Sequence, residues 1–207
     1  MVKRVVTNYN GYDANAFFCV DDKTKHGFLF DCGAEGKRLS DIIDKEGYII
    51  EKLIITHGHF DHIGGVEEFR KFKNIPVHIH ENGKRFLSDP EYNLSAHLGS
   101  PIRFEADGYF KDGDILQTEG GELCFRVINT KGHTDDSCVF YNEKEGYAIT
   151  GDTIFRGTYG NYRFPTGDYD TLMRSIREKV LTLPPDTILY SGHTLATTVA
   201  AERPYYI

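Results

Sequence analysis

The chain has 207 residues, of which 40% are hydrophobic and 27% are charged, and its formal net charge at pH 7 is -7. This length suits one domain with a substantial core, and because no linker rich in Pro, Gly or Ser divides it, we expect a single domain over residues 1–207. The acidic balance argues against a broad nucleic-acid-binding face. No apolar run reaches the roughly 18 residues that a membrane span needs, and no signal-peptide pattern follows the N-terminus, so we expect a cytoplasmic protein.

The first half of the chain predicts strands followed by helices. The runs "VKRVVTN", "AFFCV" and "GFLFD" are short, β-branched and aromatic, which predicts an antiparallel meander of three strands. In "EGKRLSDIIDKEG", Leu39, Ile42 and Ile43 follow helical spacing and Gly47 ends the segment. The segments "EKLIITH" and "IPVHIHE" then predict buried strands, with a short helix in "GGVEEFRKF" between them.

Residues 84–114 show no clear periodicity and are rich in turn formers and aromatic residues. An irregular segment of this length is uncommon unless it covers a site, so we interpret it as a candidate lid.

The second half repeats the pattern of the first. The runs "ELCFRVINT", "SCVFYN", "GYAITGD" and "TILYSGH" predict strands, "DYDTLMRSIREKVLTL" predicts an amphipathic helix, and a short helix is expected at about residues 197–202. Because each half has strands with helices after them, we expect an α/β fold in which two sheets pack face to face and the helices lie outside.

The cysteines give no sign of a disulfide framework or of a cysteine metal site. No CxxC pair occurs, and each cysteine lies in or beside an apolar strand-like run: Cys19, Cys32, Cys124 and Cys138. We therefore expect reduced, structural thiols.

The segment "HGHFDH" places three histidines and an aspartate within six residues, directly after a predicted strand. His57 and His59 point the same way if the chain is extended there, because strand side chains have a period of two, so they can share one ion. Asp61 and His62 come where the chain must turn, and they can face a second ion nearby. Zinc sites use histidine nitrogen and carboxylate oxygen as ligands, which makes this turn the start of two sites.

Three later residues complete the ligand set. His133, Asp152 and His193 each follow an apolar strand and each lies beside a glycine. Loops at strand ends are where such residues can converge. The sequence thus offers seven ligands for two divalent ions, with Asp152 as the carboxylate able to bridge them. Zinc is the first choice for the metal, with iron or manganese as alternatives, because histidine and carboxylate ligands accept all three.

The remaining histidines are interpreted differently. His78 and His80 form another HxH pattern, but no Asp-His pair follows, so we expect structural histidines near the core. His26 and His97 are expected at the surface or in the lid. Asp31 ends a predicted strand and is a candidate partner for a ligand histidine, since metal-bound imidazoles usually donate their other N–H to a carboxylate or carbonyl.

The motifs "HGHFDH", "GHTDDS", "GDTIF" and "SGH" together resemble the metallo-β-lactamase fold superfamily, and within it the glyoxalase II-like (hydroxyacylglutathione hydrolase-like) branch. The resemblance covers nearly the whole chain and implies a four-layered αββα sandwich of two mixed β-sheets. It also implies which residues bind which ion: His57, His59 and His133 the first, Asp61, His62 and His193 the second, and Asp152 both.

Within that branch the chain departs from the glutathione-specific pattern. Those members usually carry a lysine and a tyrosine in the loop after the bridging aspartate and a tyrosine shortly after the last histidine ligand, where this chain has Asn161, Arg163 and Leu195. They also add a C-terminal helical domain, which we do not expect here. It resembles the short, single-domain bacterial type.

The resemblance implies a metal-dependent hydrolase in which a hydroxide shared by two ions cleaves a thioester or related ester. Asp61 and Asp152 are the candidate catalytic residues. The partner is then a small-molecule substrate, with no nucleic acid and no membrane, and the oligomeric state is left open. Candidate substrate contacts lie in the loop after Asp152, because arginine can bind a carboxylate in a bidentate fork: Arg156, Tyr159, Tyr162 and Arg163.

Two other functions fit the same motifs. Persulfide dioxygenases of this superfamily use one iron, which His57, His133 and Asp152 would hold here. A protein of a different class, a metal-stabilised binding protein without turnover, is the other alternative.

Overall fold

The structure, a computed structural model, describes all 207 residues and contains two six-stranded sheets. The first half of the chain forms one sheet and the second half forms the other. The strands of the first sheet, in spatial order, are β1 Val2–Tyr9, β2 Tyr12–Val20, β3 His26–Phe30, β4 Ile49–Ile54, β5 Val77–His80 and β6 Gly108–Phe110. In chain order the second half supplies β7 Ile115–Gln117, β8 Cys124–Asn129, β9 Cys138–Asn142, β10 Tyr147–Gly151, β11 Ile154–Phe155, β12 Thr158–Tyr159, β13 Ile188–Ser191 and β14 Thr197–Thr198.

Both sheets are mixed. In the first, β1, β2 and β3 form the predicted antiparallel meander, and β3, β4, β5 and β6 then pair in parallel. The second has the order β14-β13-β10-β9-β8-β7, with β10 and β13 parallel and its other pairs antiparallel. The two remaining strands, β11 and β12, form a small hairpin of their own.

Six α-helices lie between or after these strands: α1 Gly36–Glu46, α2 Phe60–Ile63, α3 Val66–Arg70, α4 Gly83–Ser88, α5 Tyr169–Ser175 and α6 Val199–Glu202. Helix α1 forms where its spacing predicts, buries Leu39 and Ile43, and ends at Gly47, whose φ is 67°. No helix of the chain combines the length and the apolar character needed to cross a membrane.

Three separate apolar clusters show that the fold is the expected four-layered αββα sandwich. One cluster lies between the sheets and is rich in phenylalanine, with the Phe30 ring 5.1 Å from both Phe125 and Phe140. A second packs α1 and α3 on the outer face of the first sheet. The third packs α5 on the outer face of the second sheet, through Leu172 and Met173. Burial on both faces explains why the central strands are almost continuously apolar.

Three expectations about local structure need correction. Residues 84–114 are less irregular than expected, because the segment contains most of α4, a short 3₁₀ helix at Ser95–Leu98 and strand β6 of the first sheet. The predicted second-half helix begins as α5 but continues as a π-helical turn, Ile176–Val180. The final short helix is only α6, since Thr197 and Thr198 pair with β13 before it. Short elements such as these carry too few residues for their periodicity to be recognised.

All four cysteines are free, as expected, and Cys19, Cys32 and Cys138 are buried. Burial raises the pKa of Cys19 to about 12, and it raises the pKa of Cys32 and Cys138 as well. Because the thiolate is the reactive form, these three thiols should be inert in the folded protein.

We therefore expect iodoacetamide at pH 8 to modify at most one cysteine of the native protein, the half-buried Cys124, and all four after denaturation. Mass spectrometry of the intact protein measures the number of labels. The Cys124→Ala variant should take up none while folded, and rapid native labelling of Cys19 or Cys138 would contradict the burial of these thiols.

Candidate metal centre

The site lies where the carboxyl ends of several strands meet at one edge of the sandwich. In the second sheet β8 and β10 both run antiparallel to β9, and β13 runs parallel to β10, so these three strands end at the same edge. His133, Asp152 and His193 follow them. In the first sheet the parallel strands β3 and β4 end beside Asp31 and "HGHFDH". The topology therefore brings residues far apart in sequence together.

The motif "HGHFDH" has the local conformation that its two ion sites require. His59 is extended, with φ -74° and ψ 152°, and α2 begins at the next residue. Consequently His57 and His59 lie on an extended stretch, whereas Asp61 and His62 lie on the first turn of a helix. The change from extended to helical backbone separates the four side chains into two pairs.

The first group comprises His57, His59 and His133, all of them buried. His57 Nε2 lies 3.1 Å from His59 Nδ1 and 3.1 Å from His133 Nε2, and the last two atoms are 2.9 Å apart. Nitrogens at the usual zinc distance of about 2.0–2.1 Å from one tetrahedral ion lie about 3.3 Å from each other. The three nitrogens thus have nearly the spacing that a shared ion needs.

The second group comprises Asp61, His62 and His193. His193 Nε2 lies 3.5 Å from His62 Nε2 and 3.4 Å from Asp61 Oδ2. Asp152 joins the two groups: its Oδ2 is 3.1 Å from His193 Nε2 and 3.6 Å from His133 Nε2, and its Oδ1 is 3.4 Å from His62 Nε2. One carboxylate therefore reaches both sets of ring nitrogens.

Hydrogen bonds on the outer side of three rings fix which nitrogen faces the cluster. His133 Nδ1 lies 2.7 Å from the Asn161 carbonyl oxygen, and His193 Nδ1 lies 2.6 Å from that of Asp13. Carbonyl oxygens only accept, so each Nδ1 must carry the proton and each Nε2 is left with its lone pair toward the cluster. This is the arrangement in which an imidazole binds a metal.

Asp31 fixes the orientation of the His62 ring in the same way, as predicted. Its Oδ2 lies 2.8 Å from His62 Nδ1, and the carboxylate also accepts hydrogen bonds from the Thr56 N–H at 2.7 Å and the Thr56 hydroxyl at 2.8 Å. Asp31 is 2% exposed and has a left-handed backbone, with φ 59°. A buried charged side chain thus holds both the ring of His62 and the backbone that leads to His57.

At two positions beside the ligands, neighbouring atoms lie so close that only glycine fits. Gly132 has φ 130°, and a Cβ there would lie 2.2 Å from the Leu172 amide nitrogen. A Cβ at Gly192 would lie 2.2 Å from Asp152 Oδ1 and 2.7 Å from the ring of His62. A side chain at either position would displace the ligand that follows or faces it.

The two groups differ in electrostatics. Burial, together with neighbouring histidines, lowers the pKa of His57 and His59 well below the usual range, and burial lowers the pKa of His133. Burial also acts to lower the pKa of His62 and His193, but neighbouring carboxylates outweigh it. Asp31, Asp152 and Asp61 hold the pKa of His62 well above normal. Mainly Asp152 raises the pKa of His193 to about 9. The cluster therefore favours positive charge at the second group, which a metal ion would supply.

Two buried polar atoms of the cluster have no protein partner: His59 Nε2 and Asp152 Oδ1. Burying such atoms unpaired is costly, and a carboxylate oxygen beside the ring nitrogens is a good metal ligand. The donor set of five histidines and two aspartates thus fits two divalent cations.

A cavity of about 310 Å³ opens above the cluster. Its lining combines cluster residues and Asn161, one of the positions that departs from the glutathione-specific pattern, with others that the sequence did not single out: Tyr12, Phe60, Leu94, Phe155 and Phe164. The aromatic residues directly after "HGH" and "GDTI" were a usable signal, whereas Tyr12 and Leu94 come from distant segments and were not foreseeable.

None of the four predicted substrate contacts lines this cavity. Arg156 and Arg163 are exposed, with the Arg163 guanidinium over the Tyr162 ring at 5.7 Å. Tyr159 and Tyr162 are half-buried and pack against the third apolar cluster.

The histidines outside the motif lie away from the centre. His80 is buried beside Phe110 and His78 is half-buried, as expected for structural residues. His26 pairs with Glu51 at 2.7 Å, and the exposed His97 lies 3.4 Å from Glu91.

Comparison with known proteins agrees with this geometry. Residues 10–193 match the family model of the metallo-beta-lactamase superfamily, and the chain belongs to that superfamily. A protein named probable metallo-hydrolase YqgX from Bacillus subtilis is 35% identical over 92% of this chain and 89% of its own length. Hydroxyacylglutathione hydrolase GloC from Haemophilus influenzae is 32% identical, covering 88% of this chain and 86% of its own length.

Solved structures place the whole chain in the same fold. The crystal structure of BLEG-1 B3 metallo-beta-lactamase superimposes with a TM-score of 0.91 at 32% identity, covering 100% of this chain and 98% of that one. The structure of TTHA1623 in a di-iron-bound form gives 0.83 at 25% identity, covering 97% and 96%. The chain is thus a metallo-hydrolase superfamily member with a histidine and aspartate metal-binding cluster.

Asp31→Asn should weaken metal binding without unfolding the protein. Asparagine tolerates the left-handed backbone and can still accept from Thr56, but it lacks the charge that orients His62. We expect metal affinity to fall about 10- to 100-fold. Competition with a chromophoric zinc chelator measures the affinity, and circular dichroism checks the fold. Unchanged affinity in a folded variant would show that the Asp31 carboxylate does not support the centre.

Proposed function

We propose that this chain is a hydrolase that uses two divalent metal ions to cleave a thioester or a related ester. The observation that carries the proposal is the position of Asp152, which lies 3.6 Å from His133 of the first group and 3.1 Å and 3.4 Å from His193 and His62 of the second. A carboxylate shared in this way suits a two-ion centre better than a single site. The 32% identity with a protein named hydroxyacylglutathione hydrolase supports thioester chemistry.

Each ligand has a definite role in this proposal. His57, His59 and His133 would hold one ion, Asp61, His62 and His193 the other, and Asp152 would contact both. Two such ions, when bound, lower the pKa of water to about 7 and polarise a carbonyl oxygen, usually worth several kcal/mol. Asp61 and Asp152 are the proposed catalytic carboxylates, and because thiolates leave readily, no strong acid is needed.

The chain's other residues would prepare the site for this chemistry. Asp31 and the carbonyls of Asp13 and Asn161 keep the histidine nitrogens aimed inward. Because both sheets contribute ligands, we propose that residues 1–207 act as one catalytic domain. Arg156, Tyr159, Tyr162 and Arg163 remain proposed contacts for the part of a substrate that extends outside the cavity.

Zinc is our proposal for the metal, because histidine nitrogen and carboxylate oxygen are ligands that it prefers. Iron and manganese accept the same ligands, and the di-iron form of TTHA1623 supports iron as the alternative.

The alternatives are less well supported. A one-iron dioxygenase would use His57, His133 and Asp152, which leaves the convergence of Asp61, His62 and His193 without a purpose. A binding protein without turnover could use the same cavity, but it would not need the metal-ligand side chains to form part of the cavity lining.

His59→Ala and Asp152→Ala should lose bound metal and activity together, because each removes a candidate ligand side chain from the cluster. His78→Gln is the matched control, since it alters a histidine of the other HxH pattern that lies outside the cluster. Elemental analysis of the purified proteins gives metal per chain. Full activity in a variant that has lost its metal would contradict the ligand assignment.

The reaction itself is tested with a panel of thioesters, esters, lactones and phosphoesters offered to the zinc- or iron-loaded protein. We expect thioesters to be hydrolysed fastest, with release of thiol measured by a colorimetric reagent. Oxygen uptake with a glutathione persulfide at one iron per chain would instead establish the dioxygenase, and no turnover of any compound by the loaded protein would favour the binding protein.

A further inference from the structure

The cavity above the metal ligands has an apolar wall. Five of its eleven lining residues are Tyr12, Phe60, Leu94, Phe155 and Phe164. The other lining residues are ligands of the cluster and Asn161, and no lysine or arginine is among the eleven. We call the five residues the aromatic wall, since four of them carry aromatic rings.

The aromatic wall is in direct contact with the reactive centre. The Phe164 ring centroid lies 5.5 Å from that of His59 and 6.5 Å from that of His133, in edge-to-face arrangements. The Phe155 ring lies 5.6 Å from His193, and Tyr12 packs edge-on against Phe60 at 5.1 Å. Any group held at the centre must therefore also touch this wall.

A charged group is poorly accommodated there. Apart from the ligand histidines and aspartates, the cavity lining contains no charged side chain, so a substrate carboxylate lying along the aromatic wall, away from the ligands, would have no protein cation to balance it. Burying an unpaired charge is expensive. Arg156 and Arg163, the nearest arginines in the chain after Asp152, are exposed and do not line the cavity.

From this geometry we infer that the substrate group bound in the cavity, beside the scissile carbonyl, is uncharged and apolar. The inference rests on the proposed function and specifies its substrate class: thioesters with a short alkyl or single-ring substituent. At about 310 Å³ the cavity is near the small end of ligand pockets, which limits the size of that group. The charged part of a glutathione carrier would have to lie outside the cavity, because no lysine or arginine lines it.

Two series of thioesters test the inference and distinguish the two sides of the substrate. In one, the thiol is N-acetylcysteamine and the acyl group is acetyl, butanoyl, hexanoyl, lactoyl or adipoyl. In the other, the acyl group is acetyl and the alkyl thiol lengthens. In the series that lengthens the group bound in the cavity, we expect kcat/KM to rise about three- to fourfold per added methylene until the cavity is filled. A flat response in both series, or faster cleavage of the adipoyl than of the hexanoyl ester, would overturn the inference.

Variants show whether the aromatic wall is responsible. Phe164→Ala should reduce kcat/KM for the preferred apolar thioester about tenfold and flatten its length dependence, with less effect on the acetyl ester. Phe72→Ala is the matched control, because Phe72 is equally a surface phenylalanine, 47% exposed against 37% for Phe164, but lies outside the cavity. An unchanged length dependence in Phe164→Ala, with metal content preserved, would remove the wall from substrate selection.

A binding measurement keeps the inference separate from the proposed reaction. The hexyl and hydroxyhexyl thioethers of N-acetylcysteamine cannot be hydrolysed, and calorimetry with the metal-loaded protein measures their affinities. We expect the hexyl compound to bind at least about tenfold more tightly, and Phe164→Ala to remove this preference. If no thioester is hydrolysed but the hexyl preference is present, the proposed reaction fails and the apolar site stands. Equal affinities would overturn the apolar site itself.

Discussion

The structure depends on a buried cluster of polar atoms that a shared cation would satisfy together. Three buried imidazoles direct ring nitrogens at one another from 2.9–3.1 Å, and a carboxylate with one unpaired oxygen lies beside them. A proton on one ring can pair two of these nitrogens, whereas a cation would accept all of the lone pairs and the carboxylate oxygen at once. The surrounding hydrogen bonds oppose any escape, because the outer nitrogens of His133 and His193 are held by carbonyl oxygens.

The fold supplies the rigidity that holds this arrangement. Parallel strands β8, β10 and β13 end at one edge of the second sheet, β3 and β4 end at the facing edge of the first, and the phenylalanine-rich layer between the sheets fixes their separation. Such packing has little freedom to relax, since protein interiors are as dense as organic crystals. Gly132 and Gly192 then allow the backbone approaches that side chains would prevent. The chemistry of the site is thus a consequence of strand direction.

The site combines two environments that have different functions. At the base of the cavity, aspartates and histidines make a strongly polar centre of the kind that binds metal ions. Above it, the aromatic wall offers apolar contacts and carries no lysine or arginine. This division is consistent with a hydrolase whose reacting group is selected by the metals and whose substituent is selected by apolar contact. It also suggests how relatives with nearly the same fold, a TM-score of 0.91 for one of them, can act on different compounds.

The sequence alone determined the long elements, the two-sheet order and the seven candidate ligands that the fold brings together, because these depend on local periodicity and on a dense motif with few structural explanations. It also determined Asp31 as a partner of a ligand histidine. Only the tertiary structure decided that residues 84–114 complete a sheet, that Tyr12 and Leu94 reach the cavity, and that the predicted contacts Arg156 and Arg163 do not. The reason is physical: a ligand is marked by its own chemistry, whereas a cavity wall is made of ordinary apolar residues that become neighbours only when distant strands pack together.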